Sequence, residues 1–215
     1  MKKLVLITVL CCLFAGAVAA RQNTASQFEG RWVWNGTKEH FITEIVFSGD
    51  VILFYNSDEK IFVGFRFTYT DQFINIFQYG DIISLAYNLS GGLLILDYFY
   101  EDEWLTYIRS PQTIPSPLEG LWKIENITSS EPLLAEHWKE VSYFLFIQDT
   151  MMLYHSKEGM YAGIRVRFDC ETIFPVYEEY EDYLTFNFRV QGNMLILNDK
   201  DGVRIELLKT YSVIP

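Results

Sequence analysis

Ile61-Phe62-Val63-Gly64-Phe65-Arg66-Phe67-Thr68-Tyr69 is the stretch that decides the fold. Ile61, Val63, Phe65, Phe67 and Tyr69 form one set of alternate positions, and Phe62, Gly64, Arg66 and Thr68 the other. A period of two belongs to a strand with one buried face. The stretch returns at an offset of 99 as Met160-Tyr161-Ala162-Gly163-Ile164-Arg165-Val166-Arg167-Phe168, with its Gly-x-Arg in the same register. That return points to a duplicated unit rather than to one isolated strand.

Working outward, other segments return in the same order. Phe28-Glu29-Gly30-Arg31-Trp32 becomes Leu118-Glu119-Gly120-Leu121-Trp122. Tyr79, Asp81, Ile83, Leu85 and Tyr87 become Tyr180, Asp182, Leu184, Phe186 and Phe188. Gly91-Gly92-Leu93-Leu94-Ile95-Leu96 becomes Gly192-Asn193-Met194-Leu195-Ile196-Leu197. The offset grows from 90 to 99 across an insertion near Ser129-Ser130-Glu131-Pro132. A period this long exceeds that of solenoid repeats, so each copy reads as a domain. Copy one is placed at residues 28–109 and copy two at 118–215. Residues 110–117 form a linker that Pro111, Pro115 and Pro117 make extended and stiff.

Each copy predicts about eight short strands. In copy one they begin near Arg31, Phe41, Val51, Ile61, Phe73, Ile82, Leu93 and Trp104. Turn signals such as Ser48-Gly49-Asp50 and Ser90-Gly91-Gly92 separate them. In copy two, Leu184, Phe186, Phe188 and Val190 form the apolar set of one strand. Helical spacing appears only from Pro132 to Glu140. The fold class is therefore all-β: two tandem antiparallel up-and-down barrel-like modules, whose closure would remove exposed sheet edges. An open meander or a two-sheet sandwich competes with closure. A single sixteen-stranded membrane barrel would need strands of about 9–11 residues, and most of these are shorter.

Residues 1–20 predict a cleaved signal peptide. Lys2 and Lys3 precede the apolar run Leu4 to Phe14, and Ala15-Gly16-Ala17-Val18-Ala19-Ala20 offers small-residue cleavage sites. The expected destination is the periplasm, the outer envelope or the medium. Cys11 and Cys12 pose a lipoprotein alternative, although Leu10 stands where lipidation favours a small residue. Cleavage before the mature chain leaves Cys170 alone, so no internal disulfide is expected. Asp169 and Glu171 beside it disfavour a thiolate.

Each copy opens with Gly-x-Trp, at Gly30-Arg31-Trp32 and Gly120-Leu121-Trp122. A Gly-x-Arg in the middle strands and a glycine turn before Leu-Ile-Leu follow. This arrangement resembles the small lipocalin-like domains of exported bacterial proteins, here in tandem over nearly all of the mature chain. The resemblance implies barrels whose first-strand Trp32 and Trp122 pack across the base, with an apolar ligand in the mouth. Gly64 and Gly163 are the other structural positions it marks. Units this small imply short strands and a shallow calyx, and the aromatic content predicts filled interiors.

The 215 residues are 50% hydrophobic and 17% aromatic, a composition that excludes disorder. The net charge of −11 argues against nucleic acid and against an anionic membrane surface. His40, His137 and His155 share no metal-ligand spacing, and no metal or cofactor is expected. No Gly-x-Ser-x-Gly elbow is present. Glu101-Asp102-Glu103 and Glu178-Glu179, Glu181-Asp182 could supply paired carboxylates, but they also read as solvated turns. Asp199-Lys200-Asp201-Gly202 lacks oxygen donors at the ends of a calcium loop. Arg66 and Arg165 are the candidate ligand residues, because an inward arginine can hold a carboxylate head group. The competing reading lays each on the outer face beside Phe62 or Tyr161.

The expected protein is a non-catalytic exported binder of a small apolar molecule. The alternatives are a protein–protein interaction module with filled barrels and, third, a carboxylate hydrolase. No transmembrane span is expected in the mature chain.

Overall fold

The computed structural model describes residues 27–37, 39–98, 103–111, 116–136 and 138–211. The segment read as a signal peptide, His137 and most of the expected linker lie outside them. Among the described residues, no helix is long and apolar enough to cross a membrane.

The first half contains β1 (Gly30–Trp34), β2 (Ile42–Ser48), β3 (Val51–Asn56), β4 (Ile61–Tyr69), β5 (Phe73–Gln78), β6 (Asp81–Ser90), β7 (Leu93–Tyr98) and β8 (Glu103–Arg109). All eight begin within a residue of the starts read from the period-two pattern. Each pairs antiparallel with the next, and β8 returns to β1 through Trp32–Arg109, Val33–Ile108 and Trp34–Tyr107. The result is a closed eight-stranded antiparallel barrel, not an open meander.

The second half contains β9 (Gly120–Ser129), β10 (Val141–Ile147), β11 (Thr150–His155), β12 (Met160–Phe168), β13 (Thr172–Pro175), β14 (Phe186–Gln191), β15 (Met194–Asp199) and β16 (Val203–Thr210). These strands also pair in sequence, and β16 pairs with β9 from Val203–Ser129 to Thr210–Leu121. A short helix, α1 (Pro132–Glu136), fills part of the insertion. A 3₁₀ turn (Glu178–Tyr180) and α2 (Glu181–Leu184) stand between β13 and β14. Leu184 thus ends a helix rather than opening a strand, as its alternation with Phe186 had predicted. Pro175 has no N–H to extend β13, and the chain turns into helix after it.

The halves are not beads on a strut. β4 pairs with β5 only through its second part, Arg66 to Tyr69. Its first part pairs instead with β12, through Phe62–Gly163, Val63–Ala162 and Gly64–Tyr161. The pairings therefore trace two circuits that touch where β4 crosses β12. Gly64 permits the approach, and Gly163 lets β11 pack closely behind it. A Cβ on Gly64 would lie 2.5 Å from a Leu53 methyl and 2.9 Å from the Tyr161 Cβ. A Cβ on Gly163 would lie 2.1 Å from the Met151 carbonyl oxygen and 2.7 Å from the Met152 Cα.

Three hydrophobic cores result. One lies inside the first barrel around Trp32, Phe47, Phe67 and Leu94. Another fills the second half around Trp122, Phe144, Phe186 and Leu197. The third lies between the halves, where Val46, Leu53, Tyr55 and Phe62 meet Leu145, Met152, Tyr154 and Tyr161. Phe62 and Tyr161 therefore lie on buried outer faces. Burying a side chain of this size contributes ~1.5–3 kcal/mol, so the contact is a substantial part of the fold.

Candidate functional site

The two ends of the first barrel differ. At the base, the Trp32 indole N–H donates to the Phe28 carbonyl at 2.7 Å, and both residues are fully buried. Phe28 packs on Phe47, Tyr69 and Tyr87. The Arg109 guanidinium covers the outer side of the Trp32 ring at 4.7 Å. Glu29 accepts from the Gly49 N–H at 3.2 Å and ties the entry segment to the β2–β3 turn. The second half shows counterparts of three of these contacts. The Trp122 indole donates to the Leu118 carbonyl at 2.7 Å, Lys209 covers the ring at 5.2 Å, and Glu119 accepts from the Gln148 N–H at 2.9 Å. Desolvation against these turns raises the Glu29 and Glu119 carboxyls above their ordinary range.

The opposite end of the first barrel is open. A cavity of about 330 Å³ descends from it, at the small end of the range for ligand pockets. Its walls are the buried residues Ile45, Phe65, Ile76, Leu85, Leu96 and Leu105. Phe41, Asn56, Gln78 and Asp97 stand at its strand ends. The filled interior expected from the aromatic content is absent here: Phe28, Trp32, Phe47 and Phe67 pack the base, while Phe41, Phe54, Phe65 and Tyr107 line the cavity without filling it. Ile45, Ile76, Leu85 and Leu96 leave the upper part hollow.

The second half is plugged at the corresponding end. Trp138 stacks on Phe144 at 5.8 Å and meets Phe186 edge-on at 5.6 Å. Leu134 of α1, Tyr180 and Leu184 pack on the same core. Two substitutions in matching register contribute. Ile45 lies opposite Trp32, whereas Phe144 lies opposite Trp122. Leu85 lies opposite Ile74, whereas Phe186 lies opposite Ile173. A groove of about 580 Å³ beside Trp138 is lined by Lys123, Lys139, Ser142 and Ser156 as well as apolar side chains. It is a mixed surface groove rather than an apolar pocket.

The candidate arginines lie elsewhere. Neither Arg66 nor Arg165 lines the cavity. Arg66 Nε donates to Asp50 at 3.2 Å on the outer face. Arg165 lies between the halves, over Tyr55 at 4.8 Å and Phe62 at 5.7 Å. It belongs to a closed ring of charges. Arg31 donates to Glu44 at 2.9 Å and pairs with Asp149, while Arg165 pairs with Glu44 and lies 3.7 Å from Asp149. Gln148 accepts from Arg31 Nε at 3.1 Å. The four charged side chains are between 7% and 20% exposed. Burial alone would lower the Arg165 pKa, but the Glu44 and Asp149 carboxylates raise it. The ring carries two charges of each sign and closes one flank of the contact. It gave no recognisable sequence signal, because its members come from four separate segments.

The remaining candidates stay at the surface. Glu179, Glu181 and Asp182 pair with Lys60, Arg167 and Lys200. Glu101 and Asp102 lie outside the described residues. Cys170 is exposed in the turn after β12. Among the described residues, no group of three His, Cys, Asp or Glu side chains could hold a metal. No family model matches the chain, and no curated protein or solved structure matches it either.

Proposed function

We propose that this is an exported, non-catalytic binding protein that holds one small apolar molecule in the mouth of its first barrel. On this reading the second half is a copy of the same lipocalin-like unit, plugged by its own insertion and serving as a support. The cavity carries the proposal. It combines a closed base, apolar buried walls and polar groups confined to the strand ends, the usual disposition of a small-molecule pocket. The paired Trp contacts at the two bases and the matched strand order support the duplication. The two buried carboxylates, Glu44 and Asp149, are each engaged by both ring arginines, an arrangement suited to holding the halves together rather than to acid–base chemistry.

The test is native mass spectrometry of residues 21–215 purified from the source organism. A co-purifying mass should be lost on denaturation and missing from Ile76→Trp, whose indole would occupy the cavity. A bare polypeptide mass in the wild type would refute tight binding. A second reading rests on the outer face of β5–β8, where Phe77 lies opposite Ile82 and Trp104 is 57% exposed. Such side chains suit a protein partner, and a bare mass would shift the weight to them.

A further inference from the structure

Resting on the binding reading above, we infer that the cavity takes an uncharged amphiphile of about ten non-hydrogen atoms and rejects the matching carboxylate. Size comes first. At roughly 30 Å³ for each water-sized group, the 330 Å³ cavity holds about eleven such groups. That volume suits a medium chain or a compact ring system, not a long acyl chain.

Charge decides the head group. Asp97 is the one charged side chain among the described lining residues, and its carboxylate repels an anion. No Lys or Arg is among them. The two arginines best placed in sequence to receive a carboxylate are committed outside the barrel, Arg66 to Asp50 and Arg165 to Glu44 and Asp149. The Tyr107 hydroxyl, on the wall, donates to the Ile42 carbonyl at 3.2 Å. A carboxylate seated at this mouth beside Asp97 would give up part of its water without gaining a cation, and partial burial of an unpaired charge is unfavourable. Gln78 at its strand end offers a neutral amide instead, and Asn56, whose Oδ1 accepts from the Asp58 and Glu59 N–H groups at 3.0 and 3.2 Å, offers its amide N–H groups. An uncharged amide or alcohol needs only one or two such hydrogen bonds at its polar end. The net charge of −11 adds a long-range bias against anions.

Octanamide and octanoate have nearly the same shape and differ in charge. Isothermal titration calorimetry of the mature protein at pH 7.5 should show octanamide binding at least tenfold more tightly. Gln78→Arg, which places a cation at the mouth, should raise the octanoate affinity at least tenfold. Octanoate equal to or tighter than octanamide on the wild type would overturn the inference. So would failure of both to bind. In that last case a co-purifying mass sensitive to Ile76→Trp would preserve the binding reading and sink only the ligand class. The absence of any such mass would sink both.

Discussion

Gly163→Ala tests how tightly β11 packs on β12 behind the crossing of the halves. The new Cβ would stand 2.1 Å from the Met151 carbonyl oxygen, 2.6 Å from the Met152 sulfur and 2.7 Å from the Met152 Cα. Two of these atoms are backbone, so relief requires β11 to move away from β12 along rungs that include Met151–Ile164 and Met152–Gly163. The same displacement reaches the third core, where Met152 is fully buried. Overpacking costs ~1–3 kcal/mol, and a clash with backbone belongs at the upper end. At about 2–4 °C per kcal/mol for a chain of this size, a ~3 kcal/mol loss lowers Tm by about 6–12 °C. Gly64→Ala is the internal comparison. Its obstacles are a Leu53 methyl at 2.5 Å, which can rotate, and the Tyr161 Cβ at 2.9 Å across the crossing, neither of them backbone, so about half the loss is expected. Urea unfolding followed by tryptophan fluorescence supplies both values. A Gly163→Ala protein within ~0.5 kcal/mol of wild type, or a larger loss at Gly64 than at Gly163, would refute the reasoning.

Arg31→Met should cost ~3–5 kcal/mol, because Glu44 and Asp149 would then share Arg165 alone in a largely buried site. Urea unfolding checks this, and a loss below 1 kcal/mol would show that the ring contributes little. Trp138→Ala should cost ~3–5 kcal/mol and open the second half, so that xenon bound under pressure appears there by crystallography. The paired variant Glu29→Gln/Glu119→Gln reports on pH. Both carboxyls are raised above 4.5 in the folded protein, so the native state binds their protons more tightly than the unfolded chain. Their contribution is fully present below pH 4.5 and lost as pH rises through the raised values. Wild type should therefore gain stability relative to the variant as pH falls from 7 towards 4.5, and a flat or falling difference in urea unfolding would contradict the sign.

The barrel was legible because alternation is local. Phe65 and Phe67 read as inward from their own strand, and they point into the first core. The contact between the halves was not legible. Phe62, Gly64 and Arg66 look like a solvent face when β4 is read alone, yet Phe62 is buried against residues about a hundred positions away. Gly64 carried a usable signal, since a glycine inside an otherwise apolar strand marks close approach of another backbone. The cavity was half-written in the proposed repeat. Ile45 against Phe144 and Leu85 against Phe186 show the first half with smaller side chains at positions of matching register. That comparison identifies the hollow half only once barrel closure is known. The insertion near Pro132 was visible as a change of offset, but its role as a plug depends on where Trp138 lands.

Strands β3 and β4 serve as a party wall. Phe54 and Val63 face the cavity, while Leu53, Tyr55 and Phe62 on the reverse of the same backbone face the second half. A guest pressing on one surface and a neighbour pressing on the other act on a single pleated layer. Thermodynamic reciprocity follows: if occupancy tightens the grip of the halves on each other, that grip tightens hold of the guest by the same factor. On the binding reading, the plugged half can thus set the affinity of a chamber whose described lining it does not enter.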